Sequence, residues 1–251
     1  MEKFERNKMI FGVRAVIEAI EAGSTVDKIF LKQDTTGELT QELTALAKDH
    51  NIPIQRVPLE KLNRLTRKNH QGVVAFISPV AYYDIEEIVA RIYEEGKIPS
   101  IIILDGITDT RNFGAIARTA DCAGIDAILI PERGSVSVTP ESIKTSAGAL
   151  FHIPVCRCRN LTDTVRILKA SGIKIIGASE KTEFSYTQAD MAVPVGVIMG
   201  AEDTGISRQL LRECDQLVSI PMKGNISSLN VSVAAGIMMY EIVRQRGLHN
   251  Q

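Results

Sequence analysis

The first third of the chain alternates between two spacings of apolar residues. Segments 12–20 and 37–50 carry apolar residues every three to four positions, which predicts amphipathic helices. Shorter apolar runs, at 28–31, 52–57 and 72–77, predict strands. A further short helix is predicted before the last of these strands. Residues 1–80 are therefore predicted to form a small α/β domain.

The rest of the chain predicts a second domain after a connecting segment. Residues 81–97 contain one charged amphipathic stretch that ends before Pro99, and we interpret them as a linker. Five short apolar runs follow, at 101–105, 127–130, 173–179, 195–200 and 216–220. Runs that are apolar on both faces are expected in a parallel sheet covered by helices. Residues 98–251 are therefore predicted to form a larger α/β domain.

Composition narrows the class of protein only in part. The chain has 251 residues, of which 45% are hydrophobic, so it can bury two cores. Because 29 Lys and Arg balance 30 Asp and Glu, contact with nucleic acid would depend on local basic patches. The sequence has no apolar run of about 18 residues that would span a membrane, and its charged beginning lacks the apolar core of a signal peptide, which favours the cytoplasm. The four cysteines and four histidines lack zinc-site spacing, so no metal is predicted.

Polar residues that follow the predicted strands are the candidates for chemistry, because ligands of open α/β sheets collect at the carboxyl ends of strands. One such loop leads into a helix that carries Arg118, with Asn112 as its predicted N-cap. A second loop places Glu202 between glycines, and a third places Ser228 before a long apolar helix. Each has a simpler interpretation: Arg118 pairs with Asp121 on the surface, Ser228 caps its helix, and Glu202 lies in a solvated turn. Neither a G-x-G-x-x-G nor a P-loop pattern is present, which argues against a dinucleotide or nucleotide-triphosphate site.

Three segments carry a resemblance to a known family: 112–120 (NFGAIARTA), 198–207 (IMGAEDTGIS) and 220–241 (IPMKGNISSLNVSVAAGIMMYE). They resemble the three ordered motifs of the SpoU/TrmH family of RNA 2′-O-ribose methyltransferases. Residues 1–80 are similar to the L30e-like substrate-binding domain of members that methylate a guanosine ribose in large-subunit (23S) ribosomal RNA. The resemblance implies a SPOUT domain with a deep trefoil knot, S-adenosylmethionine as cofactor, and a homodimer. Two alternatives stay open: a tRNA ribose methyltransferase of the same family, and a non-catalytic RNA-binding ribosome-assembly factor.

The resemblance also implies the functional residues. The reactive set is Asn112, Arg118, Glu202, Ser228 and Asn230, and the cofactor-binding set is Ala178, Gly200, Ile220 and Leu229. Because a guanidinium keeps its proton in proteins, we expect Arg118 to stabilise the developing alkoxide and to hold the neighbouring phosphate. The resemblance places Arg118 near the dimer interface, where it could serve the partner's site. The base that removes the ribose proton is left open.

The most basic stretch of the sequence, 61–72, lies in the first domain. Because an RNA-binding domain is implied there, Lys61, Arg64, Arg67 and Lys68 are predicted to contact RNA phosphates. The simpler interpretation is a solvated helix end. With 5% aromatic residues and no Trp, extensive stacking on bases is not expected.

Overall fold

The computed structural model describes residues 9–249, so residues 1–8 and 250–251 of the predicted domains lie outside the described part of the chain. The chain divides into two compact units. The first comprises the described residues up to Ala81 together with Ser137–Pro140, and the second comprises Tyr82–Val136 and the chain from Glu141 onward. Each unit has its own sheet, of four and six strands respectively.

The first unit is a four-stranded sheet with helices on both faces. Its strands are β1 (Met9–Phe11), β2 (Val26–Lys32), β3 (Ile54–Val57) and β4 (Val73–Ile77), and its helices are α1 (Val13–Glu21), α2 (Glu38–Asp49) and α3 (Leu59–Leu65). The strand order is β1-β4-β2-β3, with β2 and β3 parallel and the other pairs antiparallel. Apolar residues of α1 and α2 cover one face, while Leu62 of α3 packs against the other. The predicted helices and strands are all present, and β1 is an addition that three residues were too few to reveal.

The second unit is a parallel six-stranded sheet. Its strands are β5 (Ser100–Asp105), β6 (Ala127–Pro131), β7 (Val155–Cys158), β8 (Lys174–Ala178), β9 (Val195–Gly200) and β10 (Gln216–Val218). Its helices are α4 (Ile85–Glu94), α5 (Thr110–Cys122), α6 (Pro140–Thr145, in this unit from Glu141), α7 (Leu161–Ala170), α8 (Arg208–Glu213) and α9 (Val231–His249), with short 3₁₀ turns at Ala149–Phe151 and Tyr186–Gln188. The order is β10-β8-β9-β5-β6-β7. Residues 101–104 of β5 are fully buried, as expected for a strand covered on both faces. The prediction of a parallel α/β sheet is confirmed.

The segment predicted as a linker, 81–97, holds a helix of the second unit instead. α4 is capped by Asp84, whose side chain accepts a hydrogen bond from the backbone N–H of Glu86 at 2.7 Å. Its apolar stripe, which includes Ile88 and Ile92, is buried in the core of the sheet. The amphipathic pattern that suggested a bridging helix therefore reflects burial of one face.

The edge strand β7 was not predicted, because its VCRC sequence alternates over only four residues. The Cys156 and Cys158 side chains are buried there, and burial raises their pKa values to about 12 and about 11 respectively. Cys122 is exposed and Cys214 is half-buried. In the described part of the chain no group of three or more His, Cys, Asp or Glu residues could hold a metal ion. None of the described helices is both long and apolar enough to cross a membrane.

Candidate active site

A cleft opens at the carboxyl ends of β8, β9 and β10. Ala178 ends β8, Gly200 ends β9, and Ile220 follows β10; all three line the cleft, and Leu229 adds an apolar side from the segment before α9. The cleft encloses about 670 Å³ of space, a volume that includes the solvent at its open mouth. The structure thus brings the four predicted cofactor-binding residues to one cavity.

The turn after β9 depends on glycine at position 200. The chain doubles back so that Gly205 N–H donates to the Ala201 carbonyl oxygen at 2.8 Å. A Cβ added at Gly200 would lie 2.2 Å from the Gly205 carbonyl carbon, so any other residue at this position would clash with the backbone. Gly205 itself has φ 68°, a left-handed conformation that favours glycine. This tight turn holds Glu202 at the mouth of the cleft.

Glu202 joins the three sequence motifs in one polar cluster. Its Oε1 accepts hydrogen bonds from Asn112 Nδ2 at 3.1 Å, Asn230 Nδ2 at 2.6 Å and Val231 N–H at 3.2 Å. Asn230 Nδ2 also donates to Asn112 Oδ1 at 2.9 Å. No described residue donates to Glu202 Oε2. The cluster therefore fixes one carboxylate oxygen and leaves the other open to a ligand.

Asn112 reaches this cluster because another residue caps α5. The Asp109 carboxylate accepts the backbone N–H groups of Arg111 at 2.7 Å and Asn112 at 2.9 Å, and these bonds lower the pKa of Asp109. The prediction that Asn112 is the N-cap was wrong. An aspartate immediately before a helical segment is itself a capping signal and could have been recognised from the sequence. With the helix start capped by Asp109, the Asn112 side chain is free to bond Glu202.

Arg118 lies on α5 but outside the cluster. Its side chain is exposed and makes no hydrogen bond or ion pair with the described residues, so the surface pair with Asp121 that the simpler interpretation offered is not formed. At about 100° per residue, six positions separate the directions of Asn112 and Arg118 by about 120° around the helix. Within one chain the structure therefore joins Asn112, Glu202 and Asn230 and leaves Arg118 apart.

Ser228 lines the cleft and does not cap α9. That role belongs to Asn230, whose Oδ1 accepts from Ser232 N–H at 3.0 Å and from Ser232 Oγ at 2.5 Å. The interpretation of Ser228 as a helix cap was therefore wrong. Val231 N–H donates to Glu202 and Ser232 N–H donates to Asn230, so the first two N–H groups of α9 are already occupied and do not offer a phosphate site.

The four predicted RNA-binding residues lie in the first unit. Lys61 and Arg64 are on α3, and Arg67 and Lys68 are in the segment that follows it; all four side chains are exposed. Their contact with RNA stays a prediction. Two of them lie over aromatic rings: Lys61 over Phe30 and Lys68 over Phe11.

Comparison with known proteins identifies the class. Residues 99–240 match the SpoU rRNA Methylase family, and residues 9–83 match the domain described as RNA 2′-O ribose methyltransferase substrate binding. A TrmH family tRNA/rRNA methyltransferase of Staphylococcus saprophyticus is 41% identical over 95% of this chain and 96% of its own. Its counterpart in Staphylococcus aureus is 40% identical over the same shares.

Solved structures agree with this class. The SpoU methyltransferase AviRb from Streptomyces viridochromogenes, in complex with the cofactor AdoMet, aligns with a TM-score of 0.60 and 26% identity over 96% of this chain and 90% of that one. An AdoMet-bound rRNA methyltransferase from Sinorhizobium meliloti aligns with a TM-score of 0.60 and 27% identity over 95% and 87%. The chain has the fold of this class and is an RNA 2′-O-ribose methyltransferase that depends on S-adenosylmethionine. The chain belongs to the SpoU/TrmH family.

Proposed function

We propose that this enzyme transfers the methyl group of S-adenosylmethionine to the 2′-hydroxyl of a guanosine ribose in 23S ribosomal RNA. The observation that carries the proposal is the Asn112–Glu202–Asn230 cluster at the mouth of an apolar cleft. The chain has both a substrate-binding and a methylase domain and is similar over nearly its whole length to a protein described as an rRNA methyltransferase, which favours ribosomal RNA as substrate. In this proposal residues 1–80 hold the RNA, residues 98–251 carry out the transfer, and the enzyme acts in the cytoplasm.

The cleft fits S-adenosylmethionine in the chemistry of its walls. Ala178, Ile220 and Leu229 offer apolar surface suited to an adenine ring and a thioether chain, while the backbone at Gly200 offers polar groups close to the ligand. When bound, this cofactor supplies a methyl group activated by a sulfonium charge. Glu202 stands at the opening, where its negative charge favours a cationic ligand.

The remaining residues orient the ribose and stabilise charge. Glu202 holds Asn112 and Asn230 in one geometry, so that amide groups of the cluster and the open Oε2 can position the ribose hydroxyls. The Ser228 hydroxyl, at the cleft wall, provides a further hydrogen bond to the substrate. Arg118 stabilises the developing alkoxide and holds the adjacent phosphate, a role suited to a guanidinium that stays protonated.

The proposal includes a homodimer and a knotted sheet. Because Arg118 lies apart from the cluster of its own chain, a second subunit would bring the arginine to a complete site.

The knot is supported by the strand order, since β9 lies between β5 and β8 although it follows both in sequence. The loops that would form the knot carry the cleft residues.

Mapping of ribose methylation tests the substrate. RNA from cells with and without the gene is compared at every ribose of 23S, 16S and transfer RNA, with the gene returned on a plasmid as control. We expect loss of methylation at one guanosine of 23S RNA and its recovery on complementation. Loss at a transfer-RNA ribose instead would establish the alternative substrate, which the names of the staphylococcal relatives also allow. An unchanged map together with a ribosome-assembly defect would support the non-catalytic alternative.

A further inference from the structure

The second face of the four-stranded sheet carries a pair of aromatic rings. Phe30 on β2 and Phe76 on β4 lie on the face that α3 covers, with ring centroids 5.7 Å apart and planes at 86°. Phe30 is buried and Phe76 is half-buried. Lys28 is opposite Phe76 in the register of β2 and β4, so that it lies beside the rings.

Two lysines from separate elements lie over these rings. Lys28 Nζ is 5.9 Å from the centre of Phe30 and 5.7 Å from that of Phe76, and Lys61 Nζ, from α3, is 4.8 Å from Phe30. Ring faces attract cations and so restrict where both ammonium groups lie. In the part of the chain that the structure describes, neither lysine forms an ion pair. Two like charges that share a ring repel each other, and an anion between them would relieve that repulsion.

A third lysine extends the same arrangement toward β1. Lys68 Nζ is 5.3 Å from the centre of the Phe11 ring. The segment that carries Lys68 is held by the buried His70, whose Nδ1 accepts the backbone N–H of Gly72 at 3.0 Å and whose Nε2 lies 2.9 Å from Asn63 Oδ1. Because Nδ1 accepts, Nε2 carries the proton and donates to Asn63. The basic segment is therefore ordered rather than merely solvated.

We propose that Lys28, Lys61 and Lys68 form a phosphate-binding track for the backbone of the substrate RNA, with Phe30 and Phe76 as positioning residues. The inference rests on the proposed function, which supplies RNA as the partner. RNA fits because it presents successive phosphates to successive fixed cations. Lys28 lies outside the basic run that the sequence singles out, and the fold alone brings it to this face. An acidic protein segment is the competing occupant.

Binding of a short fluorescent oligouridylate to the full-length enzyme tests the track over a series of KCl concentrations. We expect Lys28→Met and Lys61→Met each to weaken binding severalfold and to reduce the slope of log affinity against log salt by about 0.7. Phe76→Leu keeps the charge of Lys28 but removes a ring that positions its ammonium group. The affinity for the oligouridylate should therefore fall while the salt slope stays unchanged. Phe76→Tyr retains the ring and should bind as the wild type does. Arg14→Met, an exposed site on α1 over the opposite face, is the matched control.

Thermal unfolding of each variant identifies losses that come from misfolding, and Lys28→Arg, which keeps the charge, should restore binding. Lysine variants that bind with the affinity and slope of Arg14→Met would overturn the track. Displacement of the oligouridylate by polyglutamate as effective as by unlabelled RNA would overturn RNA as the occupant. Methyl transfer to ribosomal RNA by the wild type is measured in parallel. If the wild type transfers no methyl group, the proposed function is contradicted while the track is not. If transfer is normal and the lysine variants bind RNA as the wild type does, the track alone is contradicted.

Discussion

At the scale of single residues, Arg118 has no partner in the described part of its own chain. It is exposed and unpaired among the described residues, on a helix whose neighbouring face is made of small buried residues such as Gly114 and Ala117. A Cβ at Gly114 would lie 2.8 Å from the Ser142 carbonyl oxygen, so that face of α5 packs closely against α6. The helix is thus held rigidly while Arg118 projects outward, as a charge-stabilising group requires.

Substitution of Arg118 should remove catalysis and spare the fold. We expect Arg118→Ala to slow single-turnover methyl transfer by about 10²–10³-fold, the usual cost of losing one preorganised donor. Arg118→Lys should also fail, because an ammonium cannot reproduce the planar two-pronged contact of a guanidinium. Arg166→Ala, an exposed arginine on α7, serves as control and should stay near wild type. Turnover of Arg118→Ala within about threefold of wild type, far short of that donor effect, would exclude the proposed role.

Substitution of Gly200, at the turn after β9, should lower the stability of the protein. Gly200→Ala places a methyl group 2.2 Å from the backbone of Gly205, and we expect the free energy of unfolding to fall by about 3 kcal/mol or more, because backbone cannot move aside as a side chain can. Gly224→Ala is the matched control, since no described atom lies within 4 Å of its added Cβ and its φ is not positive. Denaturant unfolding measures both variants. Equal stability of the two would show that the turn after β9 opens readily.

At the scale of elements, the sequence predicted the helices and strands that have a regular apolar pattern and did not predict the features that tertiary contacts determine. The buried strands β5 and β9 were identifiable because a strand covered on both faces is apolar throughout. β7 was not predicted because its four residues carry too little pattern, and its strand conformation depends on pairing with β6. The meeting of Asn112 with Glu202 could not be derived from spacing, since 90 residues separate them and only the order of strands brings them together. The site residues came from family motifs, and periodicity alone would have left them as loop and cap residues.

The burial of β7 predicts which thiols react. Burial raises the pKa of Cys156 from its ordinary 9.0 to about 12 and that of Cys158 to about 11, so both stay protonated and enclosed at pH 8. With Ellman's reagent we expect rapid reaction of the exposed Cys122 alone, abolished by Cys122→Ser, and reaction of all four cysteines after denaturation. A second fast thiol that belonged to β7 would contradict this burial.

The same shifts give β7 a pH dependence of stability. Below the ordinary thiol pKa of 9.0 both folded and unfolded chains keep the protons, so the two thiols do not alter stability with pH. Above it the unfolded chain releases protons that the folded chain retains, and the free energy of unfolding should fall as pH rises from 9.0 toward about 11 to 12. Urea unfolding of the wild type and of Cys156→Ala/Cys158→Ala across this range measures the effect, which should be smaller in the variant.

At the scale of the whole molecule, α9 has a buried face and an exposed apolar stripe. Ala235, Met238 and Ile242 are buried, whereas Val233 and Tyr240 are 50% and 52% exposed and lie seven residues apart on one side of the helix. α9 is apolar over much of its circumference, and only part of this apolar surface is buried within one chain. An apolar stripe on a helix beside α5, which carries Arg118, is where a second subunit would complete both surfaces.

Disruption of this stripe should separate the subunits. We expect the wild type to have twice the 27.5 kDa mass of the chain in light scattering, and Val233→Glu/Tyr240→Glu to have the mass of the monomer, since two charges would be buried in the interface. The double variant should keep its circular dichroism spectrum, because both side chains project away from the core. A wild type that elutes as a monomer would remove the dimer from the proposal.

Mixed dimers decide whether Arg118 serves the partner's site. Arg118→Ala and Glu202→Gln should each be inactive alone. If Arg118 acts across the interface, a dimer with one subunit of each kind places both substitutions in one site and leaves the other site intact. Random assembly makes half of the dimers mixed, so coexpression should restore about a quarter of wild-type methyl transfer per dimer. If Arg118 acts on the cluster of its own chain, every site in a mixed dimer carries one substitution and no activity returns. Coexpression of Arg118→Ala with wild type calibrates the assembly, and absence of recovery despite proven mixing would assign Arg118 to its own subunit.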